Sequence, residues 1–331
     1  MNRNHSSESI MALGRGFMES RILLTAAELD LFTLLGPEPL SVEDLADRTG
    51  LQSRPTGMLL DAMAALGFLL KMGEKFQTPP DLAPLLRSDS PTSVRPMLLH
   101  SATLWWTWSQ LTSIVNETGG PVRPASDSRP PDDLKAFIGA MAAVGASMAS
   151  EIARSADAGS ARSLLDVGGA TGTYTLAFLA LNPRLQGTIF DLPPVIDMAR
   201  ERLETSEFRD RVTLRAGDFY RDDLPTGHDL VLLSAVIHQN SLEQNLDLYR
   251  KVFQALDPGG RILIRDHVMS PDRTSPPSGA LFAINMLVNT AGGGTYTLDE
   301  ITTGLEAAGF SRVRLIQSGN RMDGLVEAFK P

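Results

Sequence analysis

Four strand ends in the second half of this chain carry side chains able to do chemistry: Asp166, Asp191, Asp218 and His238. Asp166 lies in the apolar run 163–167, reading SLLDV, which leads into Gly168-Gly169-Ala170-Thr171-Gly172 and then a helical stretch. A strand, a glycine turn and a helix start bring backbone N–H groups close to a ligand. Asp191 is placed where a carboxylate can accept both ribose hydroxyls of a nucleoside. Asp218 with Phe219 offers a carboxylate for an exocyclic amine and a ring for a base. A neutral imidazole at His238 suits proton removal from a phenol or hydroxyl near neutral pH. The helix that follows, capped at Asn240 or Ser241, presents its positive end and disfavours imidazolium. Each aspartate alone reads as a turn or N-cap residue; their convergence on neighbouring strand ends points to a site.

Other chemistries are poorly served. A dinucleotide fingerprint opening at Gly168 would meet Ala170 and Thr173 where its second and third glycines belong. No Gly-Lys-Ser/Thr follows to make a phosphate-binding loop. His, Asp and Glu spacing suggests no metal site, and the absence of cysteine excludes disulfides and thiolate ligands. A net charge of −9 argues against non-specific binding to nucleic acid or anionic membrane. No apolar run approaches the ~20 residues of a membrane span, and the N-terminus lacks a signal-peptide core. A soluble, cytoplasmic protein is expected.

Positioning four strand ends requires a sheet. Residues 186–190, 211–215, 229–233 and 261–265 read as further strands, with helices at 173–181, 193–203, 241–256 and 298–308. Residues 313–317 and 324–329 read as a closing hairpin. Alternation of this kind is an open, doubly wound α/β sheet. The first half differs. Apolar residues recur at helical spacing over 9–35, Ser41 to Asp44 is a capping box, 53–66 is an amphipathic helix, and 67–78 is a hairpin. This predicts a winged-helix unit. Its second helix sets one basic residue, Arg54, against Asp61, which favours a structural or dimerisation module over a DNA reader. Residues 79–131 read as loop-rich with helical patches and hold Trp105, Trp106 and Trp108, every tryptophan of the chain. Residues 132–154 read as a helix with Phe137, Met141, Val144 and Met148 on one face. Two domains follow, 1–155 and 156–331.

LLDVGGATG, FDLPPVI, AGDF, PGGRILIRDHVM and the closing GF…VRLI…LVEAF resemble the S-adenosylmethionine-dependent small-molecule O-methyltransferases of the plant caffeate, acetylserotonin and bacterial polyketide types. The resemblance implies a Rossmann-like catalytic sheet behind a winged-helix dimerisation domain. It puts Asp166, Gly168, Gly169 and Gly172 at the methionine part of the cofactor. Asp191 with Leu192 falls at the ribose, and Asp218 with Phe219 at the adenine; Ser234 is a further cofactor contact. His238 sits where the family keeps its general base, and Asp266 near a carboxylate that orients it. S-adenosylhomocysteine is the implied product, and no metal is implied. The chain departs from the family pattern at Ala170 for a glycine, Ser234 for a lysine, Gln239-Asn240 for Asp-Trp, and Thr295 for a carboxylate.

The acceptor expected is a hydroxyl of an aromatic or polycyclic small molecule, in a pocket between the domains near Trp105, Met141, Met148, Phe282, Asn285, Met286 and Asn289. A homodimer through the N-terminal helices is expected, since Ile10, Leu13, Phe17, Ile22 and Leu23 exceed what one winged helix can bury. Transfer to nitrogen or carbon by proximity alone, a cofactor-sensing regulator and a nicotinamide oxidoreductase remain as alternatives.

Overall fold

The structure, a computed structural model, describes residues 5–116 and 131–331. The chain divides into two compact units, Met1–Trp105 with Lys135–Ala140, and Trp106–Leu134 with Met141–Pro331.

The first unit begins with α1 (Ser7–Arg15), capped reciprocally by Ser6 and Ser9. It continues through α2 (Phe17–Glu28) and α3 (Leu31–Leu34). The capping box expected at Ser41 is present: Asp44 N–H donates to Ser41 Oγ at 3.1 Å, and α4 (Val42–Thr49) follows β1 (Leu40–Ser41). Then come α5 (Ser53–Ala65), β2 (Leu70–Met72), β3 (Lys75–Gln77) and α6 (Ala83–Leu86). The three strands form an antiparallel sheet in the order β1-β3-β2. Leu31, Phe32, Leu35, Leu45, Leu60, Met63 and Phe76 make its core. Helix α1 buries none of its residues, and Ile10, Leu13 and Phe17 are exposed.

Of the stretch 79–131 expected to be loop-rich, the described part, 79–116, is more helical than that, because α7 (Arg95–Ser109) is a continuous helix, followed by α8 (Leu111–Val115). Helix α7 carries apolar and aromatic residues around most of its circumference, so no amphipathic stripe announced it. Residues 117–130 lie outside the described residues. Helix α9 (Pro131–Ala156) runs slightly beyond the expected span at both ends.

The second unit is built on β4 (Ser163–Val167), α10 (Thr173–Leu181), β5 (Gln186–Asp191), α11 (Pro193–Leu203), β6 (Val212–Ala216), β7 (His228–Ser234), α12 (Leu242–Ala255) and β8 (Leu256–Asp266). After β8 come β9 (Val268–Met269), α13 (Pro277–Asn289), β10 (Tyr296–Thr297), α14 (Leu298–Ala307), β11 (Ser311–Gln317) and β12 (Gly324–Phe329). The seven-stranded order is β11-β12-β8-β7-β4-β5-β6. Strands β4 to β8 pair in parallel, and β12 runs antiparallel to both β8 and β11. Glu327, buried on β12, takes Arg261 of β8 at 2.8 Å and Arg314 of β11, tying the closing hairpin to the sheet.

Alternation along each strand sends neighbours to opposite faces. Leu165, Val167, Val231, Leu233, Ile262 and Ile264 pack with α12 and α14 through Leu248, Tyr249, Val252, Ile301 and Leu305. Leu164, Leu230, Leu232 and Leu263 pack on the other face with Ile152 of α9 and Phe178 and Leu179 of α10. The chain steps outward from β4 through β5 to β6, then returns to β7 on the other side of β4. Ligands of such sheets bind at this reversal, beyond the carboxyl ends.

Candidate active site

Asp166 is buried at the end of β4, where Thr175 Oγ1 donates to its Oδ2 at 2.6 Å and Oδ1 has no protein partner. Burial raises its carboxyl to about 6, against the Thr175 hydrogen bond, with the charge of Asp191 adding to the rise. The turn folds back over this carboxylate: a Cβ on Gly169 would lie 2.8 Å from Asp166 Cγ. Gly172 closes the turn at φ +80°, a left-handed conformation natural to glycine. Ala170 is also left-handed, at φ 49°, in spite of its methyl group. Its N–H donates to Asp191 Oδ2 at 2.8 Å, which locks the glycine turn to the end of β5.

Asp191 takes a second backbone donor, Leu192 N–H, on Oδ1 at 2.8 Å. Burial lifts its carboxyl to about 6, partly offset by these two donors. Each oxygen keeps a lone pair, so the carboxylate retains capacity for two hydroxyls. Beyond β6, Asp218 Oδ1 accepts Tyr220 N–H at 2.9 Å, and Phe219 and Tyr220 rings pack with centroids 4.5 Å apart. Lys251 of α12 pins this turn through the carbonyls of Phe219 and Asp222, each at 2.8 Å. A carboxylate on β5, an aromatic turn on β6 and a backbone cradle on β4 suit a nucleoside bearing an amino-acid arm.

His238 lies on a single 3-10 turn, Ile237–Gln239, between β7 and α12. Ser241 caps α12, one of the two N-caps foreseen. His238 Nδ1 stands 2.9 and 3.1 Å from the carboxylate oxygens of Asp266, at the end of the neighbouring strand β8. Burial pushes the Asp266 carboxyl up, but His238, Arg265 and the His267 N–H together hold it below the usual range. An ionised carboxylate only accepts, so Nδ1 carries the proton in this contact and Nε2 is the ring nitrogen that faces away from Asp266. Phe282 of α13 meets the imidazole edge to face, centroids 4.8 Å apart.

Ser234 Oγ accepts Arg265 Nε–H at 2.7 Å, and the same guanidinium lies 4.7 Å from the Tyr174 ring. A buried cation from β8 thus stands beside the position where the resemblance placed a lysine. Sequence reasoning passed over Arg265, whose signal was one basic residue in the apolar strand ILIRD. It also passed over α13 as an element and over the buried Asn245, and read Asn240 only as a candidate N-cap and a departure from the family pattern.

The acceptor residues divide. Asn285 Oδ1 accepts Trp108 Nε1–H at 2.9 Å, Asn289 Oδ1 accepts Thr107 Oγ1–H at 2.9 Å, and Met286 is buried on the same helix. Met141 is half-buried, whereas Met148 belongs to the hydrophobic core with Ile152 and Phe178. Trp105 stands in the first unit, near Phe17 and Arg21. Thr295 is buried and bonded to the Gly279 carbonyl at 3.3 Å. An open cleft of about 650 Å³ between Leu242, Arg273, Leu287 and Tyr296 contains none of the side chains singled out for cofactor or base. Among the described residues no three His, Asp or Glu gather to hold a metal, and no helix is long and apolar enough to cross a membrane.

Comparison with known proteins identifies the family. The family model described as the O-methyltransferase domain matches residues 122–311, and the O-methyltransferase dimerisation domain matches 11–83. The tetracenomycin polyketide synthesis 8-O-methyl transferase TcmO of Streptomyces glaucescens is 33% identical over 92% of this chain and 91% of its own. The 3-hydroxy-5-methyl-1-naphthoate 3-O-methyltransferase of Streptomyces sahachiroi is 31% identical over 92% and 90%. Human N-acetylserotonin methyltransferase, solved in complex with SAM, superposes with a TM-score of 0.82 at 25% identity, covering 100% of this chain and 99% of that one. The chain belongs to the O-methyltransferase family, with a mostly parallel catalytic sheet and a helical dimerisation domain.

Proposed function

We propose that this protein transfers a methyl group from S-adenosylmethionine to a hydroxyl of an aromatic or polycyclic small molecule, with His238 as the general base. The observation that carries the reading is the His238–Asp266 contact of 2.9 Å, set on strand ends adjoining those of Asp166 and Asp191. Bound S-adenosylmethionine supplies an electrophilic methyl group on sulfonium. Asp191 accepts the ribose hydroxyls, Phe219 stacks on the adenine with Asp218 taking its amine, and the turn Gly168–Gly172 cradles the amino-acid arm. Asp266 holds the imidazole with Nδ1 protonated, so Nε2 receives the proton of the acceptor hydroxyl. Phe282 restricts water at the ring, and Asn285, Met286 and Asn289 present a mixed polar and apolar wall to the acceptor. Proximity and alignment contribute on the order of 7 kcal/mol in favourable intramolecular cases, so the base supplements positioning.

The exposed Ile10, Leu13 and Phe17 support a homodimer through the dimerisation domain. One relative is named for 3-hydroxy-5-methyl-1-naphthoate, which makes that compound a suitable first acceptor. Isothermal titration tests the cofactor half. S-adenosylmethionine and S-adenosylhomocysteine should bind at micromolar concentration, and NAD(H) or NADP(H) should not. Binding of a dinucleotide alone would sink the proposal.

A further inference from the structure

The turn that carries His238 is held by a polar chain, buried at its two asparagines, that no catalytic assignment above uses. Tyr220 donates its hydroxyl to Asn240 Oδ1. Asn240 Nδ2 donates to Asn245 Oδ1 at 2.9 Å, and Asn245 Nδ2 donates to the Ile237 carbonyl at 2.9 Å. Tyr296 donates to the Asn240 carbonyl from the other side. Asn240 is wholly buried and Asn245 nearly so. Buried amides are costly unless satisfied, and here each bond goes to the 3-10 turn or to the element that braces it. Tyr220 stands two residues after Asp218, which accepts its backbone N–H, and its ring packs against Phe219.

We infer that Tyr220 is a positioning residue for His238: through Asn240 and Asn245 it ties the Asp218–Tyr220 turn to the turn bearing the imidazole. The inference rests on the proposed assignment of Asp218 and Phe219 to the adenine and of His238 to proton removal. Ordering one turn by the cofactor then orders the other, since both hang on the same bonds and on α12. Side-chain networks of this kind act as units and are apportioned by double-mutant cycles.

Tyr220→Phe removes one hydroxyl from a residue that is 47% exposed and keeps the ring, so the fold should persist. With 3-hydroxy-5-methyl-1-naphthoate as acceptor, the variant should lose about five- to thirtyfold in kcat, the effect of about one to two kcal/mol. The Kd for S-adenosylhomocysteine and the KM for the acceptor should stay within about twofold, a split that general destabilisation does not produce. In a His238→Ala background the same substitution should cost nothing further, because its effect passes through the imidazole. An equal loss in both backgrounds, or none in the wild type, would overturn the inference while leaving the base assignment standing. Full activity of His238→Ala would instead remove that assignment. Hydrogen exchange needs no acceptor: S-adenosylhomocysteine should protect the Gln239 and Asn240 amides in the wild type but not in Tyr220→Phe. Equal protection in both would also overturn it.

Discussion

Removing the imidazole isolates what proton removal contributes. His238→Ala should lower turnover by ~10²–10⁴-fold with S-adenosylmethionine affinity nearly unchanged, measured as kcat alongside a calorimetric Kd. Asp266→Asn should lower it less, because the nucleophile-facing nitrogen survives. On the proposed ribose assignment Asp191→Ala loses two charge-assisted bonds, a cost of roughly 2–4 kcal/mol, so cofactor affinity should fall by one to three orders of magnitude; the ligand-free protein should also lose some thermal stability, because the Ala170 and Leu192 N–H groups lose their acceptor. Asp166 bears on pH. Its folded value of about 6 lies above the ordinary 3.8. Its stabilising contribution is therefore fully present below the ordinary value and lost as pH rises through about 6. At pH 8 the ligand-free protein holds an ionised, buried carboxylate, and Asp166→Asn should be more stable by roughly 2–3 kcal/mol. That advantage should shrink by about half at pH 5 in urea titrations; a pH-independent difference would contradict the burial argument.

The glycine turn is the element where sequence and geometry meet most directly. Gly172 sits at φ +80°, and an added Cβ would stand 2.6 Å from Ile189 Cδ1 of β5. Gly172→Ala should cost about 1–2 kcal/mol from the left-handed backbone alone, more with the Ile189 clash, and weaken cofactor binding; an unchanged melting temperature would speak against it. This turn and the strand ends at Asp191, Asp218 and His238 were legible because strand runs, glycines and breakers are local signals. Helix α13 was not: Leu281 to Val288 is apolar on most sides, so it lacks a stripe, and its meaning lies in Phe282 meeting His238 across more than forty positions of chain. Met148 carried a periodicity that suits pocket and core alike, and the structure places it in the core. Arg265 became interpretable only once β7 and β8 were known to be neighbours, bringing it to Ser234.

At the scale of the whole molecule, α1 buries nothing in a single chain although Ile10, Leu13 and Phe17 lie along it and the start of α2. Light scattering at micromolar concentration should report a dimer, and Leu13→Ser with Phe17→Ser should shift it toward monomer with the catalytic sheet intact by circular dichroism; a monomeric wild type would remove the dimer from the account. The central claim is methyl transfer to oxygen. It is tested most directly by incubating the protein with S-adenosylmethionine labelled as a trideuteromethyl donor and 3-hydroxy-5-methyl-1-naphthoate, then locating the label by mass spectrometry and NMR. The predicted result is a trideuteromethyl ether at the phenolic oxygen, formed one for one with S-adenosylhomocysteine and lost in Asp191→Ala. A label on carbon, or no transfer to this or any phenolic acceptor by protein that binds the cofactor, would contradict it.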